Sequence, residues 1–111
     1  MNRIPMPSAA SALLPALIAR SGMPREAVLL TDVQSVDWRS LTFNGERHIL
    51  ELRVPGVLSR DIVRRMCDGL ADAEFSIPGA IVADINVVGS PTRALDGSTS
   101  VMIEALTVVA D

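Results

Sequence analysis

Apolar and polar positions along the chain follow two rhythms, and each occurs twice. From about Ser11 to Ser21, the residues Leu13, Leu14, Leu17 and Ile18 recur at helical spacing. Pro15 lies inside this stretch, and proline is tolerated only in a first helical turn, so the spacing predicts a short helix. Residues 27–38 are rich in β-branched side chains and alternate in part. Asn44-Gly45 then signals a tight hairpin turn, because both central positions of such a turn need positive φ. Residues 47–54 alternate cleanly, with Leu50, Leu52 and Val54 on one side and Ile49, Glu51 and Arg53 on the other. Helical spacing returns at Ile62, Val63, Met66, Cys67 and Leu70 and runs to about Ala73. Ser59 stands where an N-cap is wanted, with Asp61 in the first turn. Ile77-Pro78-Gly79 reads as a turn, residues 80–88 as a strand, Asp96-Gly97 as a second hairpin turn and residues 99–109 as a last strand.

The second half echoes the first. Leu29-Leu30-Thr31-Asp32-Val33 matches Ile81-Val82-Ala83-Asp84-Ile85, and Phe43-Asn44-Gly45 matches Leu95-Asp96-Gly97, each pair 52 residues apart. Beyond the second turn the offset is 53, so Leu50 meets Ile103 and Glu51 meets Glu104. A helix plus a hairpin cannot bury its own apolar face, so two such units must share one core. The expectation is an α+β chain: a ferredoxin-like two-layer sandwich, αββαββ, with a four-stranded sheet and two helices on one face. It is one domain over 1–111, with a mobile arm at 1–8, a first repeat at 9–56 and a second at 57–111.

Strand parity then assigns two faces. Leu29, Val33, Leu50, Leu52, Ile81, Ala83, Ile85, Val101, Ile103 and Ala105 are expected to meet the helices. The other face carries Leu30, Asp32, Val36, Trp38, Ile49, Glu51, Arg53, Val82, Asp84, Val88, Met102, Glu104, Leu106 and Val108. That face is too apolar for solvent alone, and a contiguous patch of this kind marks an interface.

Composition narrows the classes. At 111 residues the chain is sized for a single core. Apolar residues make up 49% and charged residues 21%, which argues against disorder. The net charge of −3 gives no electrostatic attraction to nucleic acid. All 10 basic residues are Arg, which hints at a GC-rich bacterial genome. The lone Cys67 permits no internal disulfide and fits a reducing, cytoplasmic setting. A periplasmic location follows instead if residues 1–19 act as a signal peptide, which Arg3 and the apolar stretch from Ala9 to Ala19 loosely imitate. No apolar run reaches the roughly 18–20 residues of a membrane-spanning helix.

Candidate chemistry is sparse. Asp32 and Asp84 recur, but on opposite edge strands they fall about 14 Å apart, too far for a shared acid-base pair. Glu51 and Glu104 sit on neighbouring central strands with Arg53 close by, a set able to bind a polar or cationic ligand or to fix the register of an interface. His48 is the only histidine, and with one Cys on another element it makes no metal site. Arg60, Arg64 and Arg65 form a basic patch on the second helix. The glycines match no phosphate-binding motif. Trp38 alone cannot supply the stacking platform of an RNA-binding sheet and suits an interface anchor.

The expected function is therefore a non-catalytic interaction or assembly module with no cofactor, self-associating as a homodimer through the open sheet face or an edge strand. The candidate residues are Glu51, Arg53, Glu104, Trp38, His48, Met102 and Leu106. An alternative is a small-ligand-binding or enzymatic domain whose polar site forms at a subunit junction. The element order from about residue 11 to 109 also resembles the periplasmic modules of bacterial secretion and pilus platform proteins, which implies an envelope-assembly scaffold. That resemblance covers element order and no motif.

Overall fold

The computed structural model describes residues 8–109. The arm expected at 1–8 lies outside the described residues except for Ser8, which opens the first helix. The order is α1 (Ser8–Arg20), β1 (Leu29–Arg39), β2 (Asn44–Val54), α2 (Ser59–Cys67), β3 (Ser76–Ile77), β4 (Ala80–Arg93) and β5 (Thr99–Val109). The chain is α+β, with a five-stranded sheet in the order β1-β2-β5-β4-β3 and every neighbouring pair antiparallel. The expected four strands are the four long ones. The fifth, β3, is two residues where the sequence suggested only a turn. Gly79 takes φ 73°, which folds Ser76-Ile77 back onto Ala80-Ile81.

Both helices pack on one face. Leu13 and Leu17 of α1 and Ile62, Val63 and Met66 of α2 close over Leu50, Leu52 and Val54 of β2 and Val101 and Ile103 of β5. Burying each of these side chains stabilises by about 1.5–3 kcal/mol. The helices are also joined at their ends. Arg20 Nε donates to the Met66 carbonyl at 3.0 Å, and the same guanidinium reaches the Asp68 carbonyl, so a cation of α1 sits on the carbonyls that end α2.

Several local expectations are corrected. Proline is not confined to a first turn here: α1 starts at Ser8 and Pro15 stands mid-helix. Pro15 and Ser11 are both on the exposed side, so the carbonyl that loses its intrahelical donor faces solvent. Helix α2 stops at Cys67 rather than near Ala73, because Gly69 turns left-handed at φ 67° and a short 3₁₀ turn, Leu70–Asp72, follows. Ser59 is the first helical residue and not the cap. Its hydroxyl donates to the Gly97 carbonyl at 2.6 Å, so Thr99 Oγ1 donates to Ser59 at 2.7 Å, and the pair fastens α2 to the β4–β5 loop.

Asn44-Gly45 is not the first hairpin turn either. Arg39 pairs with Asn44, and the loop is Ser40–Phe43, held by Ser40 Oγ accepting from the amides of Thr42 and Phe43. Gly45 is in β2 for another reason: a Cβ there would stand 2.2 Å from the Thr107 carbonyl and 2.9 Å from Trp38 Nε1. Asp96-Gly97 does form the second turn, with Gly97 at φ 87° and Asp96 Oδ1 accepting from the Ser98 amide and hydroxyl.

The face assignment shifts at two points. Register slips between Leu30 and Asp32 in β1 and between Val82 and Asp84 in β4. Each bulge absorbs one residue, Thr31 or Ala83, and reverses the parity before it. Leu30 and Val82 therefore pack against the core, while Leu29 and Ile81 are exposed and Ala83 does not point to the helices. The two bulges stand 52 residues apart, the spacing of the sequence echo itself.

Candidate functional site

The face of the sheet away from the helices is where most candidate residues gather. Leu50 and Ile103 pair across the β2–β5 junction, and their neighbours turn outward. Glu51 stands opposite Met102, and Glu104 stands opposite Ile49. Glu51 and Glu104 are thus diagonal neighbours, a relation that brings strand residues to about 7–8 Å. Arg47 pairs with Leu106, and Arg53 pairs with Ser100. Trp38 lies over Gly45 at the end of β1. Six of the seven sequence candidates, Glu51, Arg53, Glu104, Trp38, Met102 and Leu106, share this face.

The face mixes apolar surface with charge. Val36 is 64% exposed, Val88 40% and Met102 37%. Ile49, Leu106 and Val108 are half-buried. Across them runs a diagonal of carboxylates. Asp32 faces Glu51 directly, Glu104 follows on the next strand, and Asp84, opposite Leu106, lies diagonal to Glu104. Like charges directly opposite each other are unfavourable. The bulged Thr31 offsets part of this, because its hydroxyl donates to Glu51 Oε1 at 2.9 Å. Asp32 and Asp84 themselves stand on β1 and β4 with two strands between them, so they share no substrate site.

The seventh candidate is elsewhere. His48 faces the helices and is fully buried. Its neighbours define a directed chain of hydrogen bonds. Thr107 Oγ1 donates to the Glu46 carbonyl at 3.4 Å, so it accepts from His48 Nε2–H at 3.0 Å. That leaves Nδ1 as an acceptor for the Ser35 hydroxyl at 2.6 Å. Burial lowers the His48 pKa from its ordinary 6.5, and the nearby Glu46 carboxylate opposes this. His48 therefore cannot line a cleft on the open face. Ser35 and Thr107 were not singled out from the sequence, although polar residues at core-facing strand positions are the visible signal for such a network.

The chain matches no family model, no curated protein and no solved structure. Among the described residues, no three His, Cys, Asp or Glu side chains converge as metal ligands do, and no helix is long and apolar enough to cross a membrane. Cys67, on α2, is half-buried, and burial pushes its thiol pKa up while Arg20 pulls it down. A protonated thiol is a poor nucleophile. What the open face can do is bind: it offers apolar contacts, two arginines and two central carboxylates on a rigid pair of strands.

Proposed function

We propose that this chain is a non-catalytic assembly module that forms a homodimer through the open face of its sheet. The observation that carries the reading is the uncovered apolar surface formed by Ile49, Met102, Leu106 and Val108 on β2 and β5, continued by Val36 and Trp38. Patches of this kind are rare on monomers unless they meet a partner. A second copy suits the face in charge as well as shape. An isologous interface brings each residue near a symmetry-related set. Arg47 and Arg53 of one protomer would then stand over the Glu51 and Glu104 region of the other, offsetting the crowded carboxylates. Two sheets stacked in this way leave about 10 Å between them, filled by these side chains.

The fold we propose is a ferredoxin-like sandwich built from two αββ units about a pseudo-two-fold. Leu50 pairs with Ile103, its own counterpart at the 53-residue offset, which is the pairing such an axis requires. The matching bulges at Thr31 and Ala83 support it too. The lone thiol fits a cytoplasmic role.

Size-exclusion chromatography with light scattering tests the proposal. The wild-type chain is expected at twice its monomer mass at micromolar concentration, and Met102→Glu with Leu106→Glu is expected to give a monomer of unchanged far-ultraviolet circular dichroism. A wild-type monomer at high micromolar concentration overturns it, as does a double variant that remains dimeric.

A further inference from the structure

A cavity of about 730 Å³ lies on the opposite side of the molecule, between α2 and the C-terminal part of β4. Its size is that of pockets holding small organic ligands. Its floor is apolar, with Val63 buried and Val87 and Cys67 half-buried, and the exposed Val57 and Pro91 stand at its edge. Its rim is basic. Arg60 and Arg64 stand one turn apart on α2, and Arg93 comes from the end of β4. Arg64 is held by Asp61 at 2.9 Å. Among the described residues, Arg60 and Arg93 have no carboxylate partner.

The backbone positions of these two arginines meet at one end of the cavity. Arg93 pairs with Thr99, and Thr99 is hydrogen-bonded to Ser59, the residue before Arg60. The remaining carboxylate of the lining, Asp68, follows the last turn of α2, about 12 Å along the axis from Arg60. The cavity is therefore basic at the Arg60 and Arg93 end and apolar beyond it, and at the far end the Asp68 carboxylate is offset by Arg20, whose guanidinium rests on the Asp68 carbonyl. That polarity selects a ligand with one anionic head and an apolar body.

We propose that this cavity binds a small amphiphilic organic anion, its carboxylate or phosphate head between Arg60 and Arg93 and its apolar body along Val63, Val87 and Cys67. Guanidinium suits either head group because its forked donors match two oxygens at once. The site lies on the helix side of the sheet, so its occupancy is separate from association through the open face.

Isothermal titration calorimetry on the whole chain with decanoate, decyl phosphate and decanol tests the site. The expected result is one bound ligand per chain for at least one of the two anions, with the tighter anion naming the head group, and much weaker binding of the uncharged alcohol. The bound anion should also slow alkylation of Cys67 by N-ethylmaleimide. Arg60→Ala with Arg93→Ala should weaken the anion by about tenfold to a hundredfold, the worth of one or two charge-assisted bonds. Both arginines are exposed, so the urea midpoint should hold, and the Arg60→Lys, Arg93→Lys pair should recover part of the affinity. Equal binding of decanol, unchanged affinity in the double alanine variant, or no binding of either anion overturns the proposal.

Discussion

The two faces of the β2–β5 pair are made by alternate residues of the same two strands, and they differ less in apolarity than in charge. The helix side presents Leu50, Leu52, Val101, Ile103 and Ala105, and the open side presents Ile49, Met102, Leu106 and Val108. Each side also carries polar residues. On the helix side the fully buried ones are His48, Thr99 and Thr107, uncharged and hydrogen-bonded, and the only charge is Glu46, half-buried at the strand end opposite Thr107. On the open side they are Arg47, Glu51, Arg53 and Glu104. An uncharged polar group can be buried once it is paired, whereas a charge resists burial unless an opposite charge accompanies it. The helices cover the side they can cover without stranding a charge. The other side keeps an apolar surface that only a partner with compensating charge can close.

The largest effect that separates the faces comes from neighbouring residues of one strand. Leu50→Ala removes a side chain with no exposure from the centre of the core and should cost about 3 kcal/mol in urea denaturation. Ile49→Ala, one residue away on the open side, should cost less than about 1 kcal/mol in the isolated protomer. Equal losses would mean that the open face is packed as tightly as the core and that its partner is already in place.

Gly45→Ala tests the closest approach on the open side. The new methyl meets the Thr107 carbonyl at 2.2 Å and the Trp38 ring at about 3 Å. The side chain of Trp38 can move, but the backbone of β5 cannot move without loosening its ladder to β2. A loss of about 2 kcal/mol is expected, within the range for overpacking. A Trp38→Ala, Gly45→Ala double variant should recover little of it, because the backbone contact remains. Full recovery would assign the strain to the indole instead, and hydrogen exchange at the Gly45–Val108 pair would show no loosening.

Much of this was legible in the alternation of hydrophobic and polar residues. Leu50, Leu52, Ile103 and Ala105 were placed correctly because no irregularity interrupts β2 or β5. The placing of Leu29, Leu30, Ile81 and Val82 failed because a bulge leaves no mark in a hydrophobicity pattern, yet it reverses every side chain before it. Asn44-Gly45 misled for a related reason. The dipeptide is a turn former, but here glycine answers a steric demand from Thr107 and Trp38, residues far away in sequence. Ser59 carried the composition of a cap and is used for a tertiary bond to Gly97 and Thr99 instead. Glu51 and Glu104 were linked to one another because the 53-residue echo aligned them. Arg93 was not, because nothing local ties the end of β4 to the second helix.

The smallest effect expected concerns His48, the fully buried titratable group of the covered face. His48 is neutral in a chain of bonds that fixes its protons: Ser35 donates to Nδ1, and Nε2 donates to Thr107. Protonation adds a second N–H facing Ser35, whose hydroxyl must then turn away, and brings a charge into a site without solvent. Glu46 favours that charge but does not outweigh the burial, so the folded pKa lies below the ordinary 6.5. The unfolded chain then binds a proton more readily than the folded one, and this contribution to stability is complete above about pH 6.5 and is lost as pH falls below it. Between about pH 8 and pH 5.5 the urea midpoint of the wild-type chain should fall more than that of His48→Gln, which has no proton to gain there. Carboxylates titrate in both proteins and cancel in the difference. Parallel pH profiles would show that His48 is solvated in solution, and the contrast between a covered face whose fully buried polar groups are neutral and a charged open one would lose its clearest member.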